Sequence, residues 1–191
     1  TESYRRVTVV ERDHLPDAVA HRRGVPQGKH VHALLASGSA ALADLLPGIL
    51  DELAADGTEV LEEVSDFWQV LGGTDLHHSR GAFASPLRTY QSSRPFLECH
   101  VRTRLRGIPT VTMLDGHDVV RLTAAGTRVT GAVAAPHDGG PTVTLAADLV
   151  VDATGRGSRT PAFLAELGFE RPAEEGTRVR LAYASQLLRI P

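Results

Sequence analysis

The chain has 191 residues and 42% hydrophobic content, enough to bury a core of one domain or of one domain plus part of another. Its formal charge of −3 is spread without a basic block or an acidic run, which argues against nucleic acid or an anionic membrane surface as partner. Cys99 is alone, so no internal disulfide framework exists and a cytoplasmic setting is the default expectation. No apolar stretch approaches the roughly 20 residues needed to cross a bilayer. No charged-then-apolar leader precedes the first strand pattern, and membrane insertion is not expected.

Val7-Thr8-Val9-Val10, ended by Glu11-Arg12-Asp13, is the pattern of a buried strand whose carboxyl end reaches a crevice. A polar loop with glycine follows over residues 22–30. Leu and Ala then recur at helical spacing over residues 31–46 until Pro47-Gly48, and a second short helix is expected over residues 49–55, before Gly57. Residues 58–71 and 82–90 read as strands separated by Gly72-Gly73 and Gly81. Leu97, Val101 and Leu105 mark a helix over residues 96–105. From 111 to 151 four short alternating runs are punctuated by Asp115-Gly116, Ala125-Gly126 and Asp138-Gly139-Gly140, which predicts a β-meander.

Leu149-Val150-Val151-Asp152 repeats the buried-strand signal, followed by a tight segment over residues 153–158. Pro161 stands where a first helical turn accepts it, Phe163, Leu164 and Leu167 give an apolar face, and Gly168 ends the helix. Residues 178–188 restart as a strand. The chain opens without Met directly into a strand pattern and closes inside another, so both ends read as cuts through a larger protein.

Glu11 carries the first chemical argument. In dinucleotide-binding βαβ units an acidic residue at the second strand end accepts hydrogen bonds from the adenosine ribose, about 20 residues after a glycine-rich turn. Counting back that far runs off the front of the chain. The segment from Val7 to Asp13, with Arg23-Gly24-Val25-Pro26-Gln27-Gly28-Lys29-His30-Val31-His32 after it, resembles the second strand and following loop of FAD-dependent oxidoreductases related to para-hydroxybenzoate hydroxylase. Ser93-Arg94-Pro95-Phe96-Leu97-Glu98 is similar to the family's segment in which an Arg or Gln at a helix start faces the cofactor; helix-start amides there suit an anionic pyrophosphate. The run from Asp148 to Arg159, containing Asp152-Ala153-Thr154-Gly155-Arg156-Gly157-Ser158, resembles the strand and turn the family writes as Gly-Ala-Asp-Gly-x-x-Ser-x-x-Arg. Thr154 replaces the usual acid and the final Arg is displaced or absent, which removes the ground for carrying over a pyridine-nucleotide role. A backbone role for Gly155 survives, because glycine permits close approach or positive φ.

The resemblance implies an α/β, Rossmann-like FAD-binding domain, incomplete here, with a β-meander and part of a substrate-binding β-sheet. Its expected divisions are residues 1–57 and 93–172 for the FAD-binding parts, with the meander over 111–147, and residues 58–92 and 173–191 for the substrate-domain strands. It implies cofactor contacts at Glu11, Arg12, Arg23 (or its neighbour Arg22), Arg94, Val119, Asp152 and Gly155, the contact at Val119 being through main chain. The implied activity is oxidation of a small organic substrate with reduced FAD and oxygen, NAD(P)H serving as reductant; no protein acid or base is assigned. The chain alone is expected to bind FAD weakly or not at all, the remainder of the same flavoprotein being its natural complement. All of this leans on one geometric expectation, that the strand ending at Glu11 lies beside the strand over residues 149–152, so that both reach one nucleotide crevice.

Other features point to less. His30-Val31-His32 and His77-His78 lack Cys, Asp or Glu at ligand spacing, so no metal is expected. There is no Gly-x-Ser-x-Gly elbow to anchor hydrolysis. Phe67, Trp68 and Phe83 read as core in preference to a substrate pocket. Two other functions compete with this reading: a non-catalytic, degenerate flavoprotein-like binding or assembly module, and a nicotinamide-only reductase, the latter disfavoured by the long meander and the Arg94 helix start.

Overall fold

A run such as Val7-Thr8-Val9-Val10 suits a pleated strand because β-branched side chains are stiff at χ1. In the computed structural model it forms β1 (Val7–Val10). The structure describes residues 3–30, 32–62, 69–71, 73–76, 88–182 and 184–186. After β1 come α1 (Ala36–Leu45), α2 (Ile49–Ala55), β2 (Glu59–Leu61), β3 (Gln69–Leu71), β4 (Thr74–Leu76), β5 (Thr89–Gln91) and α3 (Arg94–Arg106). The remainder is β6 (Val111–Leu114), β7 (His117–Ala125), β8 (Arg128–Pro136), β9 (Val143–Ala146) and α4 (Thr160–Glu166). These fall into two units, one made of Thr1–Leu15 with Thr110–Tyr183, the other of Pro16–Pro109 with Ala184–Pro191.

In the first unit β1 pairs with β6 in parallel, Val7 opposite Val111 and Val10 opposite Leu114. The ladder continues past the strand end, where the Glu11 amide donates to the Leu114 carbonyl at 2.9 Å. Beyond lies an antiparallel sheet in the order β7-β8-β9. Its core is the middle of β8, where Ala132, Val133 and Ala134 are buried, and Phe163 of α4 is buried in the same unit. Small residues on β8 let its neighbours close in. At Gly131 the limit is reached: its φ is 153°, and a Cβ there would stand 2.1 Å from the Leu145 carbonyl oxygen. Only glycine fits that approach. Pro161 sits in the first turn of α4, where its missing N–H costs no helical hydrogen bond.

Two expectations are corrected here. Residues 111–114 are not the first strand of the meander: Asp115-Gly116 reads as a hairpin turn, but the strand before it is claimed by β1 across about a hundred residues of chain. The meander has three strands, β7 to β9. Residues 149–152 form no strand, and Leu149 and Val151 are 56% and 75% exposed. The expected adjacency between the strand ending at Glu11 and this segment is therefore absent; β1 has β6 as its partner. The apolar run has strand composition, but strand composition becomes a strand only when a neighbour accepts its peptide hydrogen bonds.

In the second unit α2 supplies Ile49 and Leu53, one turn apart and both fully buried, and β5 supplies the buried Thr89 and Tyr90. The Pro47-Gly48 break, with Gly48 at φ 85°, separates α2 from α1. α1 starts at Ala36, five residues later than the periodicity predicts, because Leu34 exchanges backbone hydrogen bonds with Tyr90 at 2.9 and 3.0 Å and so must stay extended. β2 pairs antiparallel with β5, and β3 with β4. Ser93 caps α3, its Oγ accepting the Phe96 amide at 3.3 Å, and Arg104 and Arg106 lie in the last turn, where the helix dipole favours cations. Arg104 ties α3 to α2 through Glu52 at 2.6 Å.

The expected strand over residues 178–188 is not formed over 178–182, where Val179 and Leu181 are 73% and 77% exposed. Phe67, Trp68, Gly72, His77, His78, Gly81 and Phe83 lie outside the described residues, as does most of the expected strand over 82–90.

Candidate functional site

The sequence-predicted residues divide between the units. Glu11, Arg12, Val119, Asp152 and Gly155 belong to the first, Arg23 and Arg94 to the second.

Glu11 directly follows β1, and its own Oε1 accepts the Asp13 amide at 3.0 Å. That bond folds the chain back at the strand end and fixes one carboxylate oxygen; Arg12 beside it is exposed. Val119 lies on β7, paired with Ala134 just before a register shift in the β7–β8 ladder. On the same strand Asp118 meets His137 at 2.9 Å.

Asp152 organises the turn after the exposed apolar run. Its Oδ1 accepts the Thr154 amide at 2.8 Å and the Thr154 hydroxyl at 2.5 Å. Its Oδ2 accepts the Ser158 hydroxyl at 2.6 Å and the Thr160 hydroxyl. Four donors fill the acceptor capacity of one carboxylate. The hydroxyls of Ser158 and Thr154 hold the Asp152 carboxyl far below the usual carboxylate range. Gly155 lies inside this turn at φ 64°, with open space where a Cβ would stand. The carboxylate of Asp152 thereby ties residues 152–160 into one turn around Gly155.

In the second unit Arg94 occupies the first residue of α3 and its Nε donates to Glu98 Oε1 at 2.9 Å, one helical turn on. The other oxygen of Glu98 receives Arg22 Nε, also at 2.9 Å, from a loop 76 residues away. Arg22 and Glu98 side chains are 16% and 15% exposed, Arg94 36%. Burial of Glu98 pushes its carboxyl up, but the hydrogen bonds from Arg22 and Arg94 outweigh it and bring the pKa below its ordinary value. A shallow depression beside the trio is lined by Val25, Gly28 and Pro95. Arg23, fully on the surface, stands outside this cluster; its neighbour Arg22 is the loop arginine brought to Arg94. Glu98 was not singled out from sequence, although its i, i+4 spacing from Arg94 on a helix was a usable sign.

The histidines of the His30-Val31-His32 motif take other partners: His30 Nδ1 lies 3.1 Å from Ser185 Oγ, and His32 Nδ1 lies 3.4 Å from the His30 carbonyl. Among the described residues no three His, Cys, Asp or Glu side chains converge as a metal site, and no helix is long and apolar enough to cross a membrane.

The fold matches part of a larger solved structure. A solved structure of the myxobacterial chondrochloren halogenase CndH, described as a new variant of FAD-dependent halogenases, matches 81% of this chain and 32% of its own, with a TM-score of 0.56 and 22% sequence identity. By sequence, the chain is 35% identical to Protein Rv3254 of Mycobacterium tuberculosis over an alignment 202 positions long. The alignment takes in all of this chain and 41% of that relative, so the chain spans about two fifths of the curated protein it matches. No family model matches the sequence.

Proposed function

We propose that the protein carrying this chain is an FAD-dependent oxidoreductase, a monooxygenase that oxidises a small organic substrate with oxygen and takes its electrons from NAD(P)H. The expected pairing of the Glu11 strand with residues 149–152 lends it no support, since those residues form no strand, and what supports it most is the likeness in fold, over 81% of the chain, to an FAD-dependent halogenase. The residues suit the cofactor in two respects. Arg22 and Arg94 both meet Glu98 beside the start of α3, and arginines at a helix start suit an anionic pyrophosphate. The open turn at Gly155 lets main chain approach a ligand without a Cβ in the way.

When bound, FAD supplies the redox chemistry, and this chain's residues bind and orient it. Glu11 is assigned to the adenosine ribose hydroxyls as an acceptor at a parallel strand end, with Arg12 next to it. Arg94 and the loop arginine, Arg22 or Arg23, neutralise the pyrophosphate. Main chain at Val119 meets the adenine edge, and Asp152 holds the Gly155 turn in its presenting shape. In this reading the protein works in the cytoplasm on a small molecule without nucleic acid or membrane partners, and the 191-residue chain by itself is inactive.

The complete protein, purified, should be yellow with flavin absorbance and should consume oxygen and NAD(P)H when given substrate. Product analysis with and without halide then separates oxygen insertion from halogenation. A colourless preparation that takes up no added FAD would overturn the proposal.

A further inference from the structure

The contact between β1 and β6 continues beyond the two strands. Past Val10 the chain stays against the turn that follows β6, and alternate residues make the contacts. The Glu11 amide donates to the Leu114 carbonyl at 2.9 Å, and the Glu11 carbonyl accepts the His117 amide at 3.1 Å. The Asp13 carbonyl accepts the Gly116 amide at 3.2 Å. The Leu15 amide donates to Asp115 Oδ2 at 2.7 Å, across 100 residues of sequence. Residues 11, 13 and 15 are half-buried by these ties, and Arg12 and His14 between them are exposed. The Glu11 side chain depends on the same anchor, since its Oε1 accepts the Asp13 amide.

The turn that holds this segment is itself held. The His137 amide, just past β8, donates to the Gly116 carbonyl at 2.9 Å, and His117 Nδ1 lies 2.6 Å from the Asp115 carbonyl. Gly116 is buried at φ 64°, and a Cβ there would collide with the His14 ring. Glycine is what lets the two segments close this far. Three of the ties from 11–15 to this turn join main chain to main chain and ask little of side-chain identity. The tie from Leu15 needs a side-chain acceptor, and Asp115 supplies it.

In parallel sheets of α/β folds, ligands sit beyond the carboxyl ends of the strands, which is where these two segments meet. The geometry points to Asp115 as a positioning residue for the adenosine half of the cofactor: it fixes the far end of the Glu11–Leu15 segment, so that Glu11 and Arg12 meet the adenosine in one set arrangement. This rests on the FAD reading given above. A segment ordered before the ligand arrives spares the ordering cost at the moment of binding. The substitution chosen gives the inference a sign. If Asp115 acted only as a negative charge, Asn and Ala would behave alike there, and both would favour an anionic ligand. As the acceptor for the Leu15 amide, Asp115 can be replaced by Asn and not by Ala.

The test is binding of FAD, and of FMN, which carries the same flavin without adenosine, to the complete protein by fluorescence titration, with thermal unfolding recorded for each variant. D115A should weaken FAD about five-fold and FMN by less than about two-fold, the size of one lost hydrogen bond. D115N should stay within about two-fold of wild type for both ligands. In an E11Q/R12Q background D115A should add less than about two-fold, because Asp115 acts through those residues. Should D115A fail to fold, D115E is read in its place: it keeps the charge but moves the acceptor by one methylene, and a several-fold loss for FAD alone is expected. Unchanged or tighter FAD binding in the folded variant, equal losses for FAD and FMN, a D115N loss as large as that of D115A, or an undiminished effect in the E11Q/R12Q background each overturns the inference. A wild type that binds FAD no better than FMN also overturns it and leaves flavin binding standing, whereas one that takes up neither removes the functional reading itself.

Discussion

Asp152 and Glu98 are both carboxylates with several donors and a lowered pKa, yet they are built on different principles. Asp152 is exposed and takes neutral donors, the Thr154 amide and the hydroxyls of Thr154, Ser158 and Thr160, all within eight residues. Glu98 is mostly buried and takes two cations, one of them from a distant loop. The first shapes a turn out of its own segment. The second ties two segments together. Of these two, the local carboxylate governs backbone conformation, and the long-range one governs the placement of side-chain charge.

That contrast can be broken by measurement, beginning where the largest effect is expected. Glu98→Ala removes the carboxylate that two guanidiniums share; urea denaturation of the complete protein should show a loss of about 2 kcal/mol, reduced from the fully buried case by partial exposure. Gly155→Ala forces a Cβ onto a residue at φ 64° and should cost about 1 kcal/mol, although nothing crowds the position. If that loss is missing, the turn has relaxed and Asp152 does not dictate its shape. Asp152→Asn should cost about 0.5–1 kcal/mol, in the range of lost capping bonds.

The pH response sharpens the same comparison. Asp152 ordinarily titrates at 3.8 and its folded pKa is lower, so its contribution is complete above pH 3.8 and is lost as pH falls toward the folded value. Glu98 follows the same sign from its ordinary 4.5. Acid unfolding of wild type against D152N should therefore converge below pH 3.8, with the gap between them closing as the carboxyl protonates. Salt supplies the smallest effect: raising ionic strength should weaken the Glu98 contribution by a few tenths of a kcal/mol and leave the Asp152 contribution unmoved, since its donors are neutral.

What could be read from sequence follows the same division between local and distant. α2 is bounded as predicted because Pro47-Gly48 and Gly57 bracket it, while α3 starts two residues before the expected 96 because Ser93 caps it and Pro95 suits its first turn. The positive φ at Gly155 and the helix opening at Pro161 were likewise written into neighbouring residues. The pairing of β6 with β1 was not, since Val111-Thr112-Met113-Leu114 is equally suited to a meander and only the fold selects its partner. Arg22 and Glu98 failed to announce each other for the same reason. Residues 149–151 show the converse: a strong strand composition that found no partner among the described residues. The resemblance to FAD-dependent oxidoreductases rests on three short motifs, whose cofactor contacts were transferred by pattern. The structure adds that Asp152 serves its own turn and that Arg22, in place of Arg23, joins Arg94.

The bare Leu149-Val150-Val151 run has a practical consequence. An exposed apolar stretch of strand-forming residues invites association with other molecules. Handled as a separate polypeptide, this chain will tend to precipitate as it is concentrated, and Val151→Lys, which places a gatekeeping charge on an already solvent-facing position, should keep more of it in solution.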